Sequence, residues 1–375
     1  LQAVILVGGE GTRLRPLTYG TPKPMVPLFG VPFLERALWR LRDAGVDEVV
    51  LAAGYMPQPI VDYFGDGSRV GMRLAYVVED KPLGTAGAIR NVADHLRGTF
   101  LVLNGDVLTS LDLRAMLAFH TAHGGLGTLH TIRVDDPSQF GCIVRDGSDR
   151  VTAFIEKPKR EEAPTNEINA GTYLLEREIL DAIPAGRSVS IERETFPALL
   201  AAGRPLYSYV TNDYWLDLGR PQQYRQAHDD VLDGKLVLDA SGAGANGNGN
   251  SGGRAWHIGE AGLPANLRPP VYIGSEATID PSAVVGPYAI LGNGCTIGPA
   301  AHVRFAVLWD GVRVESGARV SEAILASNAR VGHDAVVEAG AVIGHDAAIE
   351  PGTVLEPDAR IAAPSRVPEG AAGNM

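Results

Sequence analysis

Residues 8–27 read GGEGTRLRPLTYGTPKPMVP, a set of residue types suited to holding a polyphosphate. Gly8, Gly9 and Gly11 carry no Cβ, so backbone N–H groups can close on an anion. Thr12 and Arg13 follow, and the guanidinium adds a planar fork of donors. Lys23 stands between Pro22 and Pro24, whose rings restrict the backbone and can aim its ammonium. Two carboxylates add a second kind of chemistry. Asp106 ends an apolar run in Asn104-Gly105-Asp106, and Asp217 lies in Trp215-Leu216-Asp217-Leu218-Gly219. A carboxylate at each of two strand ends can hold one Mg2+ that also takes phosphate oxygens. A strand-end Asp also serves as a turn cap, so the two residues by themselves leave both roles open.

These residues need strands and helices to place them. The apolar run 3–7 has the length of a buried parallel strand ending in the glycine loop. Apolar spacing predicts helices over 33–44, 85–96, 111–123, 190–201 and 224–232. Strands are predicted over 48–53, 73–78, 100–103, 172–175 and 207–210. Residues 141–145 and 150–155 flank the turn 146–149 as a hairpin. Strand–helix alternation implies an α/β, Rossmann-like first domain with a mostly parallel sheet. Ligands bind such sheets at the carboxyl ends of strands, where the glycine loop, residues 80–87 and Asp106 all fall. Residues 239–254 are Gly, Asn, Ser and Ala in the main, a linker composition. Beyond it aliphatic residues recur every six positions: Ile273, Ile279, Val285, Leu291, Ile297, Val303 and Trp309. The register slips at Val314 and Val320, and again before Val331, Val337, Ile343, Ile349, Leu355 and Ile361. Such a period predicts a parallel β-helix of roughly five coils. The expected organisation is a catalytic domain over 1–234, a linker over 235–256 and a hexapeptide-repeat domain over 257–375.

The pattern GGxGTRLxPLT…PKPMVP resembles the signature of the sugar-1-phosphate nucleotidyltransferases, the nucleoside-diphosphate-sugar pyrophosphorylases. The resemblance implies transfer of a nucleotidyl group from a nucleoside triphosphate to a sugar 1-phosphate, with Mg2+, and a left-handed form for the β-helix. It assigns Arg13 and Lys23 to the triphosphate and the reacting phosphates, and Asp106 and Asp217 to the metal. Glu156-Lys157-Pro158 looks like the sugar-phosphate motif, Lys157 pairing with the phosphate while Glu156 and Asn169 bond sugar hydroxyls. Gly141 and Gly171 would let the backbone approach the ring. Pro82, Gly84 and Thr85 would lie beside the nucleotide, with Glu79 or Asp80 accepting from a guanine. Thymidylyl- and uridylyl-transferring members commonly carry a Gln-containing loop there, and this chain has no Gln between 59 and 138. Residues 82–89 (PLGTAGAI), Asn169-Ala170-Gly171 and residues 190–197 (SIERETFP) most resemble members that join GTP to mannose 1-phosphate. Alternatives are a glucose-1-phosphate thymidylyl- or uridylyltransferase, a heptose-1-phosphate guanylyltransferase, and a non-catalytic subunit that senses sugar nucleotides.

Composition narrows the partners. The chain has 375 residues and a net charge of −11, which argues against nucleic acid or an anionic membrane as the main partner. Its two cysteines, Cys142 and Cys295, read as reduced thiols of a cytoplasmic protein, and no apolar run approaches a membrane span. The coil faces of a β-helix suit pairing of subunits, so a homo-oligomer is expected. His302, His333 and His345 fall in the hexapeptide region, where coil-surface or loop positions are expected. A catalytic His of an acyltransferase β-helix is the competing role.

Overall fold

The structure, a computed structural model, describes residues 1–238, 254–256, 262, 264–362 and 366–367. Residues 239–253 of the expected linker lie outside these residues. Two compact units divide the chain: Leu1–Gly9 with Ala37–Leu216, and Glu10–Arg36 with the residues from Asp217 onward.

In the first unit, nine strands form one sheet: β1 (Gln2–Leu6), β2 (Glu48–Ala53), β3 (Arg73–Val78), β4 (Phe100–Asn104), β5 (Gly127–Arg133), β6 (Gly141–Arg145), β7 (Val151–Glu156), β8 (Glu167–Leu175) and β9 (Leu206–Val210). The order is β7-β6-β8-β4-β1-β2-β3, with β5 pairing β8 and β9. β3, β2, β1 and β4 are parallel, and β8 turns antiparallel against β4. Val4, Val50 and Val102 are wholly buried, as fits strands covered on both faces. Register settles where the loops emerge. Leu6 pairs with Ala52 and Asn104, and Ala53 pairs with Val78. Gly8, Gly54, Glu79 and Asp106 therefore leave the sheet at one edge.

The predicted hairpin is β6–β7, and Asp146 Oδ1 closes its turn by accepting from Ser148 N at 2.8 Å. The predicted 33–44 helix is α1 (Phe33–Asp43). α2 (Pro57–Phe64) was not among the predicted elements; its two prolines fall in the first turn, which tolerates them. The predicted 85–96 helix is shorter: α3 (Gly84–Asn91) ends where Val92 leaves helical backbone, and a tight turn Ala93–His95 follows. α4 (Leu113–His123) starts two residues later than predicted, since the Asp112 side chain caps it through Arg114 N and Ala115 N. Residues predicted as one helix over 190–201 split into a wide turn, Ile191–Thr195, and α5 (Phe196–Ala201). Pro197 supplies no amide to the preceding turn, and Ser190 caps the start as its type suggests.

In the second unit, short parallel strands stack in three sheets, the arrangement of a left-handed β-helix. Within the coils, parallel strands pair with counterparts 17 or 18 residues on: Val271 with Ala289, Val307 with Ile324, Val342 with Arg360. Leu291, Leu308, Leu325 and Ile343 stack in its interior with Val285, Val303, Val320 and Val337. The six-residue line read from sequence needs one correction. Leu308, not Trp309, is the stacked residue, because the coil is one residue short between Val303 and Leu308. The second slip lies at the same corner, between Val320 and Leu325. Trp309 is freed for another contact: its Nε1 donates to the Tyr224 hydroxyl of α6 (Pro221–Leu232) at 3.0 Å. Phe29 packs edge-on against Tyr272 at 5.1 Å. Among the described residues no helix is long and apolar enough to cross a membrane.

Candidate active site

The residues singled out from sequence fall into two groups, one in each unit. In the first unit, Gly8 and Gly54 let two loops close on each other. A methyl on Gly54 would lie 3.1 Å from the Gly8 carbonyl oxygen, and Tyr55 N donates to that oxygen at 3.3 Å. Gly9 faces open space. Gly105 N donates to the Leu6 carbonyl at 3.0 Å, and a methyl on Gly105 would strike that oxygen at 2.6 Å. This contact sets Asp106 beside the end of β1.

Residues 79–85 carry a different balance from the one expected. Asp80 and Pro82 are exposed. One carboxylate oxygen of Glu79 accepts from Leu83 N at 3.0 Å, and burial pushes its pKa up. Gly84 has φ +69°, and a methyl there would sit 2.7 Å from the Val189 carbonyl, so its missing Cβ serves packing within the unit. The Thr85 hydroxyl donates to Glu192 at 2.7 Å and accepts from Ile191 N at 2.8 Å. Thr85 therefore anchors the segment after Ser190.

The sugar-side residues do come together. Gly141 pairs with Glu156 across the β6–β7 hairpin, and a methyl on Gly141 would meet Glu156 Oε2 at 2.8 Å and Phe154 at 2.6 Å. Lys157 adopts φ +49°, its N–H donates to the Phe140 carbonyl at 2.9 Å, and its ammonium lies 4.0 Å from Glu156. Burial, then repulsion from Glu192, raises the Glu156 pKa, while Lys157 and Arg193 oppose the rise. Asn169 donates to the Tyr173 hydroxyl at 2.7 Å and accepts from Gly171 N at 3.1 Å. Gly171, at φ +73°, lies against the Asn104 amide. Trp215 Nε1 holds the Ala170 carbonyl at 2.9 Å. Glu192 takes part in this cluster through Ser190, Thr85 and Tyr173, a role its place in SIERETFP did not disclose.

In the second unit, Gly11 (φ +62°) opens a tight turn, Thr12–Leu14. Its carbonyl accepts from Leu14 N and from the Thr18 hydroxyl, both at 2.9 Å. A methyl on Gly11 would lie 3.0 Å from Lys23 Cβ, so the lysine stem passes directly over the glycine. A methyl on Gly219 would lie 3.0 Å from both Arg13 Nη2 and Asp217 Oδ1. Guanidinium and carboxylate thus converge over a glycine that sequence reasoning quoted only as part of a motif. Arg13 is exposed, and Lys23 and Asp217 are half-buried.

The nucleotidyl transferase family profile matches residues 2–234, and a second profile, described as a GMPPB C-terminal domain, matches residues 267–367. Mannose-1-phosphate guanylyltransferase of Mycobacterium tuberculosis is 44% identical over 319 residues, 84% of this chain and 82% of that protein. Mannose-1-phosphate guanylyltransferase 1 of Arabidopsis thaliana is 35% identical over 344 residues, 90% of this chain and 89% of that protein. Among solved structures, HddC from Yersinia pseudotuberculosis complexed with GMP-PN is similar at a TM-score of 0.53 with 31% identity, covering 61% of this chain and 99% of that one.

Proposed function

This chain belongs to the nucleotidyl transferase family, and from that premise we propose that it joins GTP to mannose 1-phosphate, yielding GDP-mannose and pyrophosphate. The observation that carries the reading is the convergence of Arg13 and Asp217 over Gly219, with Lys23 laid across Gly11. Together they put two cations and a carboxylate on the glycine-rich turn. The names of the relatives supply the substrate pair.

The chemistry follows from charge. An oxygen of the sugar phosphate forms a bond to the α-phosphorus of GTP. The bond from that phosphorus to the bridging oxygen breaks, and pyrophosphate leaves with its electron pair. The attacking oxygen is already ionised, so no general base is required. The barrier is repulsion between anions and charge on the leaving group, which cations and backbone donors lower. Arg13 and Lys23 supply that charge, Lys157 takes the sugar phosphate, and Glu156 and Asn169 face the sugar. Asp80 or Glu79 reads guanine beside Pro82.

Asp106 and Asp217 are the proposed Mg2+ carboxylates. The donor set fits: both are hard oxygen ligands, and Gly105 and Gly219 hold them against backbone and guanidinium. Among the described residues no three His, Cys, Asp or Glu gather at ligating distance, so phosphate oxygens and water would complete the shell. When bound, the ion would neutralise phosphate charge.

The domain limits 1–234 and 257–375, a cytoplasmic setting for the buried free thiols Cys142 and Cys295, and a homo-oligomer formed partly through the β-helix complete the proposal. Light scattering that gave a monomer at micromolar concentration would count against the assembly. The reaction itself is tested by pyrophosphate release from GTP, dTTP, UTP, ATP or CTP. Each is paired with mannose, glucose or N-acetylglucosamine 1-phosphate in the presence of Mg2+. GTP with mannose 1-phosphate should dominate. A dominant pyrimidine nucleotide would overturn the base assignment, and silence throughout would favour a sensor of sugar nucleotides.

A further inference from the structure

His302 and His333 are exposed on the coils, but His345 is placed differently. It follows the strand Val342–Ile343, and its Nε2 lies 3.1 Å from Thr21 Oγ1 and 3.2 Å from the Leu17 carbonyl oxygen. A carbonyl only accepts, so Nε2 carries a hydrogen that it donates to Leu17 and shares with the Thr21 hydroxyl. The ring has little room to move. Trp309 packs edge-on against it at 5.3 Å, and the indole is itself tied to Tyr224. A methyl on Gly20 would lie 3.6 Å from His345 Cδ2, so the backbone of residues 17–21 passes over the imidazole.

Residues 17–21 join the turn that carries Arg13 to the turn that carries Lys23. Thr18 within them bonds the Gly11 carbonyl, and Lys23 Cβ rests on Gly11. We propose that His345 is a positioning residue for the transfer reaction: one imidazole N–H from the β-helix pins both ends of this segment and so sets the spacing of Arg13 and Lys23. Two cations meant to meet one polyphosphate must hold their separation, and a hydrogen bond at each end of the connecting segment does that. The inference rests on the nucleotidyl-transfer reading above.

Three variants test it. His345→Phe keeps a ring against Trp309 and loses the N–H. His345→Gln carries its amide nitrogen where Nε2 was. His345→Ala removes both. Steady-state kinetics with GTP and mannose 1-phosphate should show kcat/KM for GTP about tenfold lower in the Phe and Ala variants, the scale of one hydrogen bond. His345→Gln should recover to within about threefold. Hydrogen–deuterium exchange of peptides spanning 11–25 should rise in the Phe and Ala variants and stay low in the Gln variant, with Tm of the Phe and Gln variants alike. Unchanged exchange and kcat/KM in His345→Phe, or an equal loss in His345→Gln, would overturn the proposal. A wild-type enzyme inactive on these substrates would instead sink the functional reading, and the exchange experiment would still decide whether His345 orders the loop.

Discussion

Glycine positions show most directly where the proposed site residues converge. At Gly219 a side chain would meet the flexible end of Arg13 and the carboxylate of Asp217, both at 3.0 Å. Gly219→Ala should therefore spare stability, because the guanidinium can swing aside, yet lower kcat/KM by about tenfold or more as the cation leaves its place. Enzyme kinetics beside a thermal melt would separate the two effects, and an equal loss of both would refute the assignment. Gly11→Ala adds a left-handed backbone penalty of about 1–2 kcal/mol to a 3.0 Å contact with Lys23 Cβ, so it should cost stability as well as rate. Asp106→Asn and Asp217→Asn should each reduce Mg2+-dependent turnover by about a hundredfold or more while circular dichroism stays unchanged. Full activity in both variants would remove the metal assignment.

Between elements, one hydroxyl hydrogen-bonds α3 to the wide turn Ile191–Thr195, beside the packing of Ala86 and Ile89 with Ile191. Thr85 donates to Glu192 and accepts from Ile191 N, which leaves it little capacity for a nucleotide. Thr85→Val strands the Ile191 amide and leaves Glu192 Oε2 with only the Ser190 hydroxyl as donor, and should cost about 1–3 kcal/mol in urea unfolding. If Thr85 served the nucleotide instead, KM for GTP would rise with stability intact. α6 is tied to the β-helix in the same economical way. Tyr224 accepts from Trp309 Nε1 and donates to the Pro27 carbonyl, so the β-helix, α6 and the signature segment share one buried hydroxyl.

At the scale of the whole molecule, each unit contains a buried neutral histidine. Burial, with Arg40 adding to it, lowers the His130 pKa to about 3, and burial with Arg36 lowers that of His228 to about 4. His228 is bonded as a single tautomer, Nδ1 donating to the Tyr224 carbonyl at 3.0 Å and Nε2 accepting from Phe29 N at 3.4 Å. The unfolded chain takes up these protons near pH 6.5 and the folded chain does not. Their contribution is therefore complete above about pH 6.5 and is lost as pH falls toward 4 and 3. Each histidine alone should remove on the order of 3 kcal/mol across that window. Urea midpoints measured from pH 7.5 to 4 should fall accordingly, and His228→Asn should flatten the curve; a slope unchanged in that variant would exclude His228 as its source.

Local chemistry was legible wherever one short segment carries it. The glycine run, the Pro-Lys-Pro turn, the apolar strands and the six-residue period are statements about backbone freedom and side-chain period, which neighbours in sequence express without help. The 146–149 hairpin belongs with them. What sequence could not express depends on partners hundreds of residues away. Thr85 was expected beside the nucleotide, but its hydroxyl is bonded to Glu192 and Ile191. Trp309 sat on the repeat line, but the coil is one residue short there and Leu308 stacks instead. Gly219 gained its meaning from Arg13, and His345 from Leu17 and Thr21. Periodicity says that a residue turns inward or outward; only the folded chain decides which distant group it meets, because a hydrogen bond or a forbidden methyl is a fact about tertiary distance.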